Sequence, residues 1–274
     1  MSTSHNAKRI ELVVFDWAGT TVDHGCFAPV APFVEALAQF DVPITLQQAR
    51  APMGLGKRDH LRAILQTPEV SQSWQAGHNR AWTEDDVDAA YHQHFVPRQL
   101  ESVRRHSQIL PGLLDTVTWL RNHGIRIGTT TGYFKEAAVL CYEEAAAQGY
   151  LPDCNVSPGD VSVGRPAPWM IFQIMEKLGV YPPAAVVKIG DTVPDIAEGL
   201  SAGAWSVGVS RTGSEVALTA DELAALPELE QRARIDRAAK TLFDAGAHAV
   251  IESIADVPSL IAQIEERLAA GERP

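Results

Sequence analysis

Asp16 closes the apolar run Leu12-Val13-Val14-Phe15 and opens the turn Trp17-Ala18-Gly19-Thr20-Thr21, a pattern that sets a carboxylate at the end of a buried strand. Three further polar groups stand in comparable places. Thr129-Thr130-Thr131-Gly132-Tyr133 follows a run at 125–130; Gly164-Arg165-Pro166 precedes a stretch of helical period; Gly190-Asp191-Thr192, with Asp195 beyond it, follows a run at 185–190. Singly, each is an ordinary cap, turn or solvated charge. Together, two carboxylates, a hydroxyl and a guanidinium on one rim suit a phosphoryl group and a hard divalent cation. In that chemistry Asp16 attacks phosphorus. Its other oxygen, the Ala18 carbonyl and Asp191 hold Mg²⁺, which favours few carboxylates beside waters and phosphate oxygens. Thr131 and the N–H groups after Asp16 hold phosphoryl oxygens, and Arg165 neutralises their charge. Asp195 is expected to support the metal ligands rather than bind the ion, and Pro166 to sit in the first turn of the helix that follows.

The elements around these residues must deliver them to one place. Apolar runs suited to buried strands recur at 10–15, 125–130, 185–190, 204–209 and 248–251, and helix-period stretches cover 134–147, 167–178 and 257–269. This alternation predicts an α/β fold, a Rossmann-like parallel sheet with helices on both faces, whose ligands gather at the carboxyl ends of the strands. Residues 26–105 break the rhythm with helix-period patterns and no convincing strand. Within them Thr45 and Gln48 read as a capping box, and Thr83 with Asp86 as a helix start with an acid in its first turn. The expected organisation is a core of residues 1–25 and 106–274 with an inserted helical cap domain, residues 26–105. Residues 211–236 read as a surface excursion before the last helix and strand.

At 274 residues, with 46% hydrophobic and 21% charged residues, the chain has the composition of an ordinary globular protein with a sizeable core. Its 23 basic and 34 acidic residues give a net charge of -11, which argues against nucleic acid as a partner and requires local positive groups or a metal for any anionic substrate. Cys26, Cys141 and Cys154 have no metal-type spacing, and an odd count without a signal segment points to a reducing compartment. No run is long enough to span a membrane, so a cytoplasmic location is expected.

The segments DWAGTT, TTTGY, GRP and GDTVPD, in this order, resemble the four motifs of the haloacid dehalogenase superfamily of phosphotransferases. The resemblance implies a Rossmann-like core, an aspartyl-phosphate intermediate and dependence on Mg²⁺. Most phosphatases of that superfamily carry a second Asp two residues after the nucleophile, as general acid for a departing alkoxide. Ala18 cannot take that part. Its presence makes chemical sense when the leaving group is carbon, because the need is then for an electron sink rather than a proton donor. A lysine that condenses with a neighbouring carbonyl supplies one. Lys57 is the one lysine between 26 and 105, in the stretch Met53-Gly54-Leu55-Gly56-Lys57-Arg58-Asp59-His60. Its glycines allow close backbone approach, and an apolar pocket together with Arg58 and Arg62 is expected to disfavour the protonated amine.

With MGLGKRDHLR and GRPAPWM added, the chain resembles the phosphonatase family over residues 9–205. That resemblance implies hydrolysis of the carbon–phosphorus bond of phosphonoacetaldehyde to acetaldehyde and phosphate, in a homodimer. Lys57 is then the Schiff-base former and Asp16 the nucleophile, with Asp16, the Ala18 carbonyl and Asp191 around Mg²⁺. Cys26, Met53, Gly54, His60 and Tyr133 fall where that family's active-site surroundings lie. His60, three residues beyond Lys57, shares its helical face and is a candidate proton shuttle. Phe27, Val30 and Phe33 fit either a dimer face or the core. The alternative within the superfamily is a Mg²⁺-dependent phosphate-ester phosphatase or phosphomutase, for which Lys57 would be dispensable. A phosphate-binding scaffold without activity would have no use for a nucleophilic carboxylate beside the metal.

Overall fold

The computed structural model describes residues 9–274. In the run Leu12–Phe15 alternate side chains face opposite ways. Leu12 and Val14 join a cluster with Met170, Ile171 and Ile174, while Val13 and Phe15 join one with Leu113, Val117 and Leu120. A strand apolar on both faces belongs in the middle of a covered parallel sheet. Among the described residues the sheet has six strands: β1 (Leu12–Phe15), β2 (Arg126–Thr130), β3 (Cys154–Val156), β4 (Val186–Gly190), β5 (Trp205–Val209) and β6 (Ala249–Ile251). All pairings are parallel and the order is β3-β2-β1-β4-β5-β6. Strand order reverses between β1 and β4, so the crevice beyond their carboxyl ends is the natural ligand site. Asp16 follows β1 and Asp191 follows β4.

The expected α/β fold and its five strands are observed, with ends trimmed by a residue or two. The sixth, β3, is only three residues long and sits at the sheet edge. The Asp153 carboxylate accepting the Ile127 N–H (2.7 Å) helps to dock it, a long-range bond with no local pattern. The helices Lys135–Ala146, Trp169–Leu178 and Val257–Ala269 match their sequence periods. Pro166 departs from expectation. The helix starts at Trp169, and Pro166 belongs to the preceding turn, closed by the Ala167 N–H on the Gly164 carbonyl (3.1 Å). Residues 211–236, expected as a surface excursion, enter the helices Ala220–Ala225 and Glu228–Asp244, which with Val216 bury Leu223, Ile235 and Ala238 in a small cluster.

Between β1 and β2 lies a helical insertion with no strand. Its helices are Ala31–Ala38, Leu46–Arg50, Lys57–Gln66, Pro68–His78, Glu84–Ala89 and Val96–His106, with a π turn at Ala90–Phe95. Thr45 and Gln48 cap each other reciprocally, as do Thr83 and Asp86. Val30 and Phe33 are core residues of this insertion, and the Phe33 ring stacks on Phe95 at 4.3 Å. Phe27 is half-buried beneath the Arg50 guanidinium at 5.0 Å. The chain enters and leaves the insertion side by side, with Val22 bridging Ile109 and the Leu110 N–H donating to the Thr21 carbonyl (2.9 Å). Among the described residues no helix is long and apolar enough to cross a membrane.

Candidate active site

The Asp16 N–H donates to the Ile189 carbonyl of β4 (2.8 Å), which fixes the residue at the rim of the sheet. Beyond it the N–H groups of Thr20, Thr21 and Val22 converge on the Trp17 carbonyl, and the Thr21 hydroxyl donates to the Asp16 carbonyl (3.0 Å). The loop is thereby held as a compact turn whose carboxylate stands free of its own backbone. Asp191 is positioned from the far side of the crevice, where its carboxylate accepts the Ser214 N–H (2.7 Å). The Thr212 hydroxyl, two residues earlier, donates to the Gly19 carbonyl (2.6 Å), lacing the loops after β1 and β5 together.

Arg165 reaches into the same rim from the turn before its helix. Each guanidinium nitrogen meets a different carboxylate: Nη2 meets Asp16 (2.8 Å), Nη1 meets Asp195 (2.9 Å) and Nε meets Glu198 (3.0 Å). The Asp195 carboxylate also caps Thr192 and takes Lys188 (2.8 Å), so its oxygens are engaged. Asp16 and Asp191 are different. Burial raises the pKa of both, and repulsion from nearby carboxylates raises them further; Arg165 offsets this in part for Asp16. Oxygens of Asp16, Asp191 and Asp195 lie within 4.8 Å of one another. Two buried, mutually repelling carboxylates beside the Ala18 residue fit a hard divalent cation, which would relieve the repulsion and satisfy the oxygens.

Lys57 comes from the insertion, at the first turn of Lys57–Gln66. Contact between two backbones brings it there. Gly54 has φ +94°, and a Cβ on it would stand 2.6 Å from the Thr192 hydroxyl and 2.8 Å from the Pro194 ring. A Cβ on Gly132 would stand 3.0 Å from the Leu55 carbonyl oxygen. The loop 52–56 therefore lies directly on the core loops that follow β2 and β4, an approach only glycine permits. Lys57 is 5% exposed, with its Nζ 5.4 Å from the centre of the Tyr133 ring. Its pKa is lowered to about 8, chiefly by burial, with Arg165 pushing the same way against the pull of Asp16 and Asp191. Arg58 and Arg62 play no part in this, contrary to the sequence expectation. Their guanidiniums face outward to Glu84, Asp88 and Asp59 at 2.6–2.9 Å.

One cavity joins the two halves. The core contributes Asp16, Ala18, Thr131, Tyr133, Arg165 and Asp191; the insertion side contributes Cys26, Met53, Gly54 and Lys57. The free space is about 20 Å³, enough for roughly one water molecule. Insertion and core thus pack closely across this cavity, which as it stands has no room for a small organic molecule. The Cys26 thiol is pushed well above its ordinary pKa by burial and by Asp191 and Asp23, so it stays neutral. The Thr131 hydroxyl accepts the Tyr133 N–H (3.1 Å), which orients both residues in this wall.

His60 alone among the expected site residues does not line the cavity. It is fully buried, stacked on Phe33 at 4.0 Å, with Nε2 on the Ala49 carbonyl at 2.8 Å. Its pKa falls to about 3 through burial and the nearby Lys57, so the ring is neutral near pH 7. This is a packing position behind the lysine. His60→Phe, which keeps the stacked ring, is expected to leave the reactivity of the Lys57 amine within a few-fold. A proton relay would lose roughly a hundredfold or more, which aldehyde trapping at Lys57 measures.

Thr130, Lys188, Glu198 and Ser214 were not singled out from sequence. Lys188 carried a signal, a lysine inside a run that reads as a buried strand, and Glu198 stands one helical turn beyond Asp195. Ser214 acts through its backbone N–H and carries no signal of type or spacing.

The fold and this rim of carboxylates define a class, and the chain belongs to it: the family of haloacid dehalogenase-like hydrolases, whose model matches residues 10–203. Within that class it belongs to the phosphonoacetaldehyde hydrolase family. It is 43% identical over 267 residues to the phosphonoacetaldehyde hydrolase of Paraburkholderia xenovorans strain LB400, covering 97% of this chain and 100% of that one. To the phosphonoacetaldehyde hydrolase of Klebsiella pneumoniae subsp. pneumoniae it is 46% identical over 268 residues, covering 97% and 99%. A crystal structure of a phosphonoacetaldehyde hydrolase-like protein from Oleispira antarctica matches with a TM-score of 0.95 at 37% identity, over 100% of both chains.

Proposed function

We propose that this protein hydrolyses the carbon–phosphorus bond of phosphonoacetaldehyde to acetaldehyde and inorganic phosphate. The observation that carries the reading is that Lys57 and Asp16 line one cavity, with Ala18 where an ester phosphatase of this class keeps its acid. The names of the relatives supply the substrate.

The Lys57 free amine adds to the aldehyde carbon and loses water, forming an imine. As an Asp16 oxygen bonds to phosphorus, the carbon–phosphorus electron pair moves into the protonated imine, leaving an enamine on Lys57 and an acyl phosphate on Asp16. The enamine takes a proton on carbon; one water releases acetaldehyde from Lys57 and another releases phosphate from Asp16, for a net consumption of one water. Arg165 and Thr131, with N–H groups of the loop after Asp16, hold the phosphoryl oxygens. The Tyr133 ring, 5.4 Å from Nζ, attracts the cationic imine once it forms. Asp16, the Ala18 carbonyl and Asp191 are the residues that would hold Mg²⁺, which when bound supplies positive charge to offset the phosphoryl oxygens and keep Asp16 ionised.

The test is a product assay. With Mg²⁺ present, phosphate and acetaldehyde should appear one for one from phosphonoacetaldehyde, chelation should abolish release, and simple phosphate esters should be poor substrates. Ester hydrolysis with no release from the phosphonate would favour the phosphatase reading instead. The amine also sets a pH dependence. With a pKa of about 8, the reactive fraction of Lys57 grows as pH rises and levels off above that value. Borohydride trapping with acetaldehyde, which carries no ionisable group, should therefore rise roughly tenfold per pH unit below 7 and flatten above 9. A rise continuing unbroken to pH 10.5 would mean an ordinary solvated lysine.

A further inference from the structure

Glu198 lies on the helix Val193–Ser201, fully buried, and outside the catalytic cavity. Its Oε2 accepts from Arg165 Nε (3.0 Å) and from the Thr130 hydroxyl (2.9 Å), with Lys188 Nζ at 3.4 Å. Because the Thr130 proton is committed to Glu198, the lone pairs of that hydroxyl face Arg165 Nη2 (2.8 Å) and Lys188 Nζ (3.0 Å). Glu198 thus sets the Arg165 plane twice, directly at Nε and through Thr130 at Nη2. Asp195 fixes Nη1, and the remaining direction of Nη2 points at Asp16.

The other Glu198 oxygen, Oε1, is buried without a hydrogen-bond partner among the described residues. A buried carboxylate with one oxygen unsatisfied is a cost to folding. Removing its charge would not strand a cation, because Arg165 and Lys188 would still face Asp195 and Asp16. Stability alone does not account for this residue, and the aim of Arg165 does.

We propose that Glu198 is a positioning residue for the phosphoryl half-reaction, holding Arg165 in the plane in which it meets the phosphoryl group bound at Asp16. The inference rests on the reading above for the identity of the two half-reactions. It separates them, because Lys57 is positioned by the insertion and does not touch this cluster.

The experiment is a double-mutant cycle with three readouts. Glu198→Gln keeps the shape and removes the charge; Glu198→Asp keeps the charge and withdraws it by one methylene. Both are expected to lower phosphate release about ten- to a hundredfold while imine trapping at Lys57 stays at the wild-type level. The melting temperature of Glu198→Gln should be unchanged or higher. In an Arg165→Lys background either change should cost less than about threefold more, since the residue acts through Arg165. Wild-type phosphate release in either variant, parallel loss of trapping and release, or full additivity with Arg165→Lys would overturn the proposal. Should the wild-type protein cleave a phosphate ester and not the phosphonate, the proposed function fails. The cycle is then run on that ester, where the role of Glu198 stands or falls by the same coupling.

Discussion

Lys57→Arg is expected to lower phosphate release from phosphonoacetaldehyde by about ten-thousandfold while the protein still folds and binds phosphate. The substitution keeps a positive charge at the cavity, but a guanidinium stays protonated and cannot condense with an aldehyde. What is lost is the electron sink. Without it the carbon–phosphorus pair has nowhere to go, and Asp16 has no leaving group to displace. The cavity is small, and arginine is bulkier than lysine, so Lys57→Met serves as a second variant of similar length without the amine; it should lose activity to the same extent. Kinetics of phosphate and acetaldehyde release, with the melting temperature as a control, check this. Full activity in Lys57→Arg would remove the imine from the account and return the chain to the phosphatase reading.

Asp16→Asn is expected to separate the two halves of the chemistry. Phosphate release should fall by about a thousandfold or more, because the amide does not attack phosphorus. Imine formation should continue, because Lys57 is lowered chiefly by its own burial and Asp16 pulls its pKa the other way. The same change removes one of the repelling carboxylates beside Asp191, so the melting temperature without metal should hold or rise. Borohydride labelling of Lys57 in Asp16→Asn, compared with phosphate release, measures the separation. If labelling disappears with the phosphate, the amine and the carboxylate are not independent functions.

The residues that do the proposed chemistry were legible because each stands directly at the end of an apolar run or beside a glycine turn. Asp16, Thr131 and Asp191 are placed by strand ends, and strand ends are marked by where hydrophobic residues stop. Ala18 was legible as an absence, the missing acid that called for Lys57. Of the two causes the sequence offered for the lysine's lowered pKa, the apolar pocket holds and the neighbouring arginines do not. Nearness along the chain suggested Arg58 and Arg62, whereas a helix turns those side chains away to Glu84 and Asp88, and burial does the work. His60 illustrates the same limit: helical spacing put it on the Lys57 face but could not tell cavity from packing. The cluster beneath the nucleophile joins residues from β2, β4, the turn that carries Arg165 and the helix Val193–Ser201, and β3 depends on a long-range side-chain bond. Neither leaves a periodic trace.

The central claim is that an amine carried by the insertion and a carboxylate carried by the sheet act on one molecule, and covalent trapping tests it most directly. The protein is incubated with phosphonoacetaldehyde, reduced with borohydride, digested and weighed. The account predicts an added ethyl or phosphonoethyl group on the peptide bearing Lys57, and on no other lysine. Label on Lys188 or on surface lysines, or no label while phosphate is still released, would contradict it.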